Sequence, residues 1–178
     1  MARPRSFDPD QTLGALKALF WEKGYEGTSM QDIEAATGLG KQSLYRVWAD
    51  KRAMYLAALA SYARDEVTGL VQMLDGDGPP RARLAALLDG AVAQADRRGC
   101  FLCNASLDQA QANPDTQAQV QAMMQMSLAA FTRLAGGDAA KGAALNAGYN
   151  GLRGMSAAGL DRAVLRKAAD GVLKLLET

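Results

Sequence analysis

The chain is expected to be all-α. Three observations point there. Alanine makes up roughly a fifth of the 178 residues, while valine and isoleucine together supply only eight, so helix formers abound and sheet formers are scarce. Apolar residues recur at helical spacing between capping residues and glycines. Apolar content of 49% against 22% charged residues is enough to pack a core around about nine such helices.

The elements follow in order. Asp8 caps a first helix with Pro9 at its first position, Leu13, Leu16, Phe20 and Trp21 recur along it, and Gly24 closes it. Thr28 opens a second helix, with Gln31 completing a T-x-x-Q capping box and Met30, Ile33 and Ala36 facing inward, and Gly38 ends it. A short third helix spans Lys41 to Trp48. Asp50 caps a long fourth helix reaching about Leu74. The stretch DGDGPP at 75–80 is the clearest break in the chain. Beyond it come helices at about Arg81–Arg98, closed by Gly99, then Cys100 to about Ala112, then Pro114 to about Leu134 behind Asn113. After Gly136-Gly137, the last two run from about Ala139 to Ala158 and from about Arg162 to Leu176.

Composition excludes several kinds of function. There is no histidine, so His-based triads, bases and metal sites are absent. With no Gly-rich phosphate loop and no nucleophile–base set, the chain is not expected to be an enzyme, and neither cofactor nor metal is expected. Two cysteines do not make a secreted scaffold, the N-terminus lacks the apolar stretch of a signal peptide, and no run of about 18 apolar residues exists. The expected location is the cytoplasm, without membrane contact.

Formal net charge is only +1, so contact with nucleic acid must come from local clustering. Residues 28–48 supply it. They read as helix, Gly-containing turn, helix, the arrangement that places its second helix in the DNA major groove. From Lys41 to Arg52, four cations (Lys41, Arg46, Lys51, Arg52) face one acid, Asp50.

The segment GYEGTSMQDIEAATGLGKQSLYRVWADKRAMYLAAL, residues 24–59, resembles the DNA-binding domain of the TetR/AcrR family of bacterial transcriptional regulators. The matching pieces are GYEGTS, an Ile-x-x-Ala-x-Gly block, and SLY followed by an aromatic and Asp-Lys. The resemblance implies a helix-turn-helix domain at 1–49 and an effector-binding and dimerisation domain at 50–178. It also implies a homodimeric repressor that a small-molecule effector releases from its operator. By position, Thr28 caps the second helix and touches phosphate. Lys41, Gln42 and Ser43 begin the recognition helix, and Tyr45 and Lys51 reach phosphates. Arg46 suits either base or phosphate, and Arg3 and Arg5 suit an N-terminal arm. Gly40 stands where the family often has a Ser or Asn cap. Arg52 replaces a usual Glu and is expected to face DNA.

The partners so implied are a pseudo-palindromic double-stranded operator, an effector of unidentified structure and a second copy of the chain. The last two helices would form the dimer, through Ala144, Gly148, Gly151, Val164, Leu165, Ala168 and Val172, though ordinary packing within one chain suits the same residues. The expected effector pocket is lined by Leu84, Leu88, Phe101, Leu102, Met123, Met124, Ser127, Phe131, Tyr149 and Leu152. Asn104, Gln125, Asn146, Asn150 and Arg153 are its candidate polar anchors. Cys100 and Cys103 form a C-x-x-C beside Arg97 and Arg98 at a helix start, where thiol pKa values fall. They fit two small buried residues, a redox or electrophile switch, or a metal bridge between subunits. An adaptor that has lost DNA binding is the remaining alternative.

Overall fold

Asp8 begins the first helix as expected, its carboxylate accepting the N–H of Asp10 at 2.9 Å. The computed structural model describes residues 8–94 and 96–177, so Arg3 and Arg5 lie outside the described residues. Among these, all regular structure is helical: α1 (Pro9–Lys23), α2 (Met30–Thr37), α3 (Lys41–Tyr45), α4 (Lys51–Tyr62), a π-helical segment (Ala63–Val67), α5 (Thr68–Asp75), α6 (Pro80–Ala93), α7 (Phe101–Asp108), α8 (Pro114–Leu134), α9 (Ala139–Ala157) and α10 (Arg162–Lys174). Helix α4, the π segment and α5 run on without a break in helical backbone, so the long fourth helix is present but underwound in its middle. No helix among the described residues is long and apolar enough to cross a membrane.

Several boundaries differ from expectation. The capping box of α2 sits one residue later than Thr28 and Gln31. Ser29 Oγ accepts the N–H of Asp32 at 3.1 Å, and Asp32 Oδ2 accepts that of Ser29 at 2.8 Å. An ionised carboxylate is the stronger acceptor, and Lys23, 2.6 Å away, holds Asp32 well below the usual carboxylate range, helped by Ser29. Thr28 is 1% exposed and donates its hydroxyl to the Gly24 carbonyl at 2.7 Å. It locks the preceding turn instead of capping α2, with no open path from its oxygen to a phosphate. Ala36 is exposed and not part of the core. The third helix stops at Tyr45, three residues early, and closes in a turn.

Helix α6 stops at Ala93, not Arg98. Asp96 takes the backbone N–H of Arg98 at 2.8 Å and its guanidinium at 2.6 Å, while Ser156 on α9 binds the N–H of Asp96 at 2.9 Å. The local turn that Asp96 makes with Arg98 and the tertiary bond from Ser156 together outweigh helix continuation. Gly99 then adopts φ of 65°, and a Cβ there would stand 2.8 Å from Ala157, so only glycine fits. Helix α7 ends at Asp108 because the side chain of Gln109 is drawn inward by Arg52 and Glu26.

The interior has two parts. Leu16, Phe20, Ile33 and Leu44 of α1–α3 pack with Met54, Tyr55, Leu59 and Tyr62 of α4 and with Phe101, Val120 and Met123. The second part joins α5, α6, the end of α8, α9 and α10 through Leu74, Leu84, Leu88, Phe131, Leu145, Leu152 and Leu165. Helix α4 is thus shared by the two expected domains.

Candidate nucleic-acid interface

Helix α3 is fixed from below by Leu44, which is fully buried, and by the partly buried Trp48 in the same core cluster. That anchoring turns Lys41, Gln42, Tyr45 and Arg46 to solvent, with Ser43 half-buried between them. Tyr45 and Val47 keep 39% and 40% of their surface exposed, and Lys41 Nζ lies 5.7 Å from the Tyr45 ring. The sequence reading did not single out Val47.

Gly40 gives α3 no side-chain cap, as expected from its lack of a side chain. The missing acceptor comes from α2. Glu34 Oε1 takes the N–H of Lys41 at 2.6 Å. A side-chain cap contributes about 0.5–2 kcal/mol. Glu34→Ala should therefore speed amide exchange in the first turn of α3 by roughly fivefold at a loss of about 1 kcal/mol. Unchanged protection of Ser43 and Leu44 would show that Glu34 does not hold the helix.

Behind α3, Lys51 Nζ stands 4.3 Å from the Tyr25 ring and Arg52 Cζ 4.0 Å from it. Arg52, expected to face DNA, is engaged within the chain instead. Its guanidinium donates to Gln109 Oε1 at 2.7 Å, and Gln109 in turn donates to Glu26 at 3.2 Å. Tyr25 N–H reaches Asp108 at 3.4 Å. These bonds stitch the helix-turn-helix to the end of α7. They join residues some 57–83 positions apart, beyond the reach of any local pattern.

Residues 13–58, which include the whole helix-turn-helix, match the family of bacterial regulatory proteins described as the tetR family. The segment is a TetR-type N-terminal domain. It is 29% identical over 119 residues to YezE, an uncharacterized HTH-type transcriptional regulator of Bacillus subtilis (strain 168), covering 65% of this chain and 61% of that protein. It is 30% identical over 102 residues to the HTH-type transcriptional repressor BdcR of Escherichia coli (strain K12), covering 57% and 52%. The chain thus spans about half to three-fifths of these curated relatives. Among solved structures, a cysteine mutant of the TetR family regulator CifR complexed with 26 bp double-strand operator DNA aligns with a TM-score of 0.82 and 25% identity, covering 97% of this chain and 98% of that one. Reduced NemR of E. coli shares the fold, with a TM-score of 0.81 at 17% identity and 92% and 93% coverage.

The C-terminal half of the chain departs from the expected pocket list. A cleft of about 510 Å³ opens between the π segment, α5, α6 and α9, with Trp21 of α1 in its wall. Of the ten residues expected to line a pocket, Tyr149 is in it. A smaller void of about 30 Å³ beside it touches Leu102, Met124, Ser127 and Tyr149. Leu84, Leu88, Phe131 and Leu152 instead fill the second core, and Phe101 and Met123 the first. Helical periodicity marks inward positions without separating cavity wall from packed core.

Among the anchors, Arg153 lines both spaces. Asn150 lines the smaller one, and Asn146 accepts the Ser127 hydroxyl at 2.8 Å. Gln125 is exposed, and Asn104 is spent on the Arg98 carbonyl at 2.9 Å.

Cys100 is buried as the residue preceding α7, its sulfur accepting the Tyr62 hydroxyl at 3.5 Å. A hydrogen bond from Cys103 lowers its thiol pKa, with Tyr62 and the Arg153 charge adding to that against burial. Cys103 is pushed up by the same bond and by burial. Both thiols are free.

The dimer candidates split. Leu165 and Val172 are buried within the chain, and a Cβ on Gly148 would stand 2.6 Å from Val172. Those three residues therefore serve the packing of α9 on α10. Ala144 and Gly151 are exposed with Ala143, Ala147 and Gly154 in a stripe of small residues along α9, beside the half-buried Val164 and Ala168 of α10.

Proposed function

We propose that this chain is a homodimeric, operator-binding transcriptional repressor released by a small-molecule effector. The observation that carries the reading is the row Lys41, Gln42, Tyr45 and Arg46, exposed on a helix locked from beneath by Leu44 and capped from α2 by Glu34. Gln42 suits a bidentate pair with adenine, and Lys41 suits guanine O6 and N7. Tyr45, Arg46 and Lys51 suit phosphates, with Ser43 at the groove edge and Arg3 and Arg5 as an arm. The operator complex of CifR supports DNA as the partner.

Two-fold pairing would place the α3 helices about 34–36 Å apart, one turn of DNA. The exposed small stripe on α9 favours close approach of a second copy, which keeps α9 and α10 as the dimer elements while assigning Gly148, Leu165 and Val172 to the fold. The bonds from Tyr25, Glu26 and Arg52 to Asp108 and Gln109 offer the effector domain a grip on the DNA-reading half. A coupling of about 1–3 kcal/mol between effector and operator is enough for regulation.

The test is fluorescence anisotropy on DNA from upstream of the protein's own gene, with excess competitor DNA. Retained binding under competition supports the regulator. Equal binding to any sequence supports the adaptor alternative.

The thiol pair supports a second reading, because Cys100 accepts the Tyr62 hydroxyl beside Cys103 and the Arg153 charge, which favours its thiolate. In this reading, oxidation or alkylation of Cys100 moves α7. Cys100→Ser should then abolish any loss of operator affinity caused by mild oxidant while leaving reduced affinity within about twofold, a change under 0.5 kcal/mol. An oxidant response that survives the substitution removes Cys100 from the mechanism.

A further inference from the structure

The charges around the large cleft are unequally matched. Asp65 is paired with Lys17, and Asp96 with Arg98 at 2.6 Å. Arg153 is different. Its side chain is 18% exposed, yet its hydrogen bonds go to neutral oxygens: Gly99 O at 2.9 Å, and the hydroxyls of Tyr62 and Tyr149 at 3.3 Å each. Its one carboxylate within ion-pair distance among the described residues, Glu66 on the π segment, is 3.8 Å away and itself 43% exposed, while Asp96, which also feels the Arg153 charge, is held by Arg98. A guanidinium largely withdrawn from water with so loose a counter-charge gains from a carboxylate brought up to it.

One more donor belongs to the same space, and the Trp21 ring lines it. The Tyr149 hydroxyl accepts from Arg153 and keeps its own proton to give. The rest of the wall is largely apolar, with Leu70, Met73, Ala86, Leu87 and Ala91 beside the polar Gln94 and Ser156. Gly69 and Gly90 lie within helices on facing sides, and a Cβ on either would meet nothing within 4 Å. Each such glycine costs up to about 1 kcal/mol relative to alanine, and the room they leave is unfilled by the chain itself.

We infer that this cleft binds a small organic acid. The ligand's carboxylate replaces Glu66 on Arg153 and takes the Tyr149 proton in a hydrogen bond, and its apolar body lies against Trp21, Leu70, Met73 and Leu87. This deepens the effector-release reading and rests on it for its regulatory meaning, because Trp21 is part of α1 and an occupied cleft touches the DNA-reading half directly.

The experiment uses the full chain with Trp48→Phe, which leaves Trp21 as the one remaining tryptophan of two. Its fluorescence is titrated with benzoate, phenylbutyrate and octanoate, each beside its primary amide. At least one acid should bind with Kd below about 1 mM, and its amide at least tenfold more weakly. Arg153→Gln should erase the preference for acid over amide. Gly90→Leu, which adds a better helix former at an open position, should weaken that acid at least tenfold by filling the cleft.

No binding by any acid below about 1 mM, equal binding of acid and amide, or unchanged affinity in Gly90→Leu each overturns the inference. Operator anisotropy is read separately. Acid binding without operator binding upholds the site and removes the regulator reading. Operator binding without acid binding does the reverse.

Discussion

Phe20→Ala should lower the unfolding free energy by about 3–5 kcal/mol, the range for emptying a large buried aromatic site. That is a large part of the roughly 5–15 kcal/mol that holds a native protein together. Phe20 is fully buried, meets Tyr55 edge-on at 5.3 Å and stacks near Tyr25 at 6.4 Å, while Tyr55 in turn meets Phe101 at 5.7 Å. These rings tie α1 to α4 and α7, so the loss is felt in both halves. The midpoint of urea unfolding measures it. A loss below about 1 kcal/mol would mean that the neighbours close over the gap and that the aromatic cluster is not what joins the halves.

Tyr45→Ala combined with Lys51→Ala should weaken operator binding by an order of magnitude or more at fixed salt. The loss should be similar on every DNA sequence, and the plot of log affinity against log salt should become shallower by about 0.9 for each phosphate contact removed. The fold should survive. Tyr45 is exposed, and Lys51 gives up only a cation–π contact with Tyr25, about 0.5–1 kcal/mol at such a site. Gln42→Ala makes the contrast, with a cost of about 1–3 kcal/mol confined to one base position. A double variant with unchanged affinity and salt slope would take Tyr45 and Lys51 off the DNA. A uniform loss in Gln42→Ala would make it a backbone contact.

The sequence by itself determined what local chemistry determines. Asp8, Asp50 and Asn113 start α1, α4 and α8 because each supplies a carboxylate or amide oxygen to N–H groups two or three residues on, a bond written within one turn of chain. The exposed row on α3 was legible for a similar reason: a single buried Leu44 fixes which side of a short helix looks outward. The pattern at Thr28 misled because two overlapping boxes compete, and the winner was chosen by Lys23, which reaches Asp32 from the preceding helix.

Only the tertiary structure decided the rest. Helix α6 ends where Ser156 and Arg153 claim the turn after it, and α7 ends where Arg52 and Glu26 claim Gln109. Of the ten residues that the resemblance led us to expect in a pocket, six fill the core and touch neither space, because an inward position is the same in sequence whether its neighbour is another side chain or empty space. The cleft depends on Trp21, Arg153 and two open glycines brought together from α1, α5, α6 and α9, and no window of sequence contains them all. Glycines 148 and 151 read alike in the chain. One lies against Val172 and the other faces solvent, because only the packing of α10 on α9 breaks their symmetry.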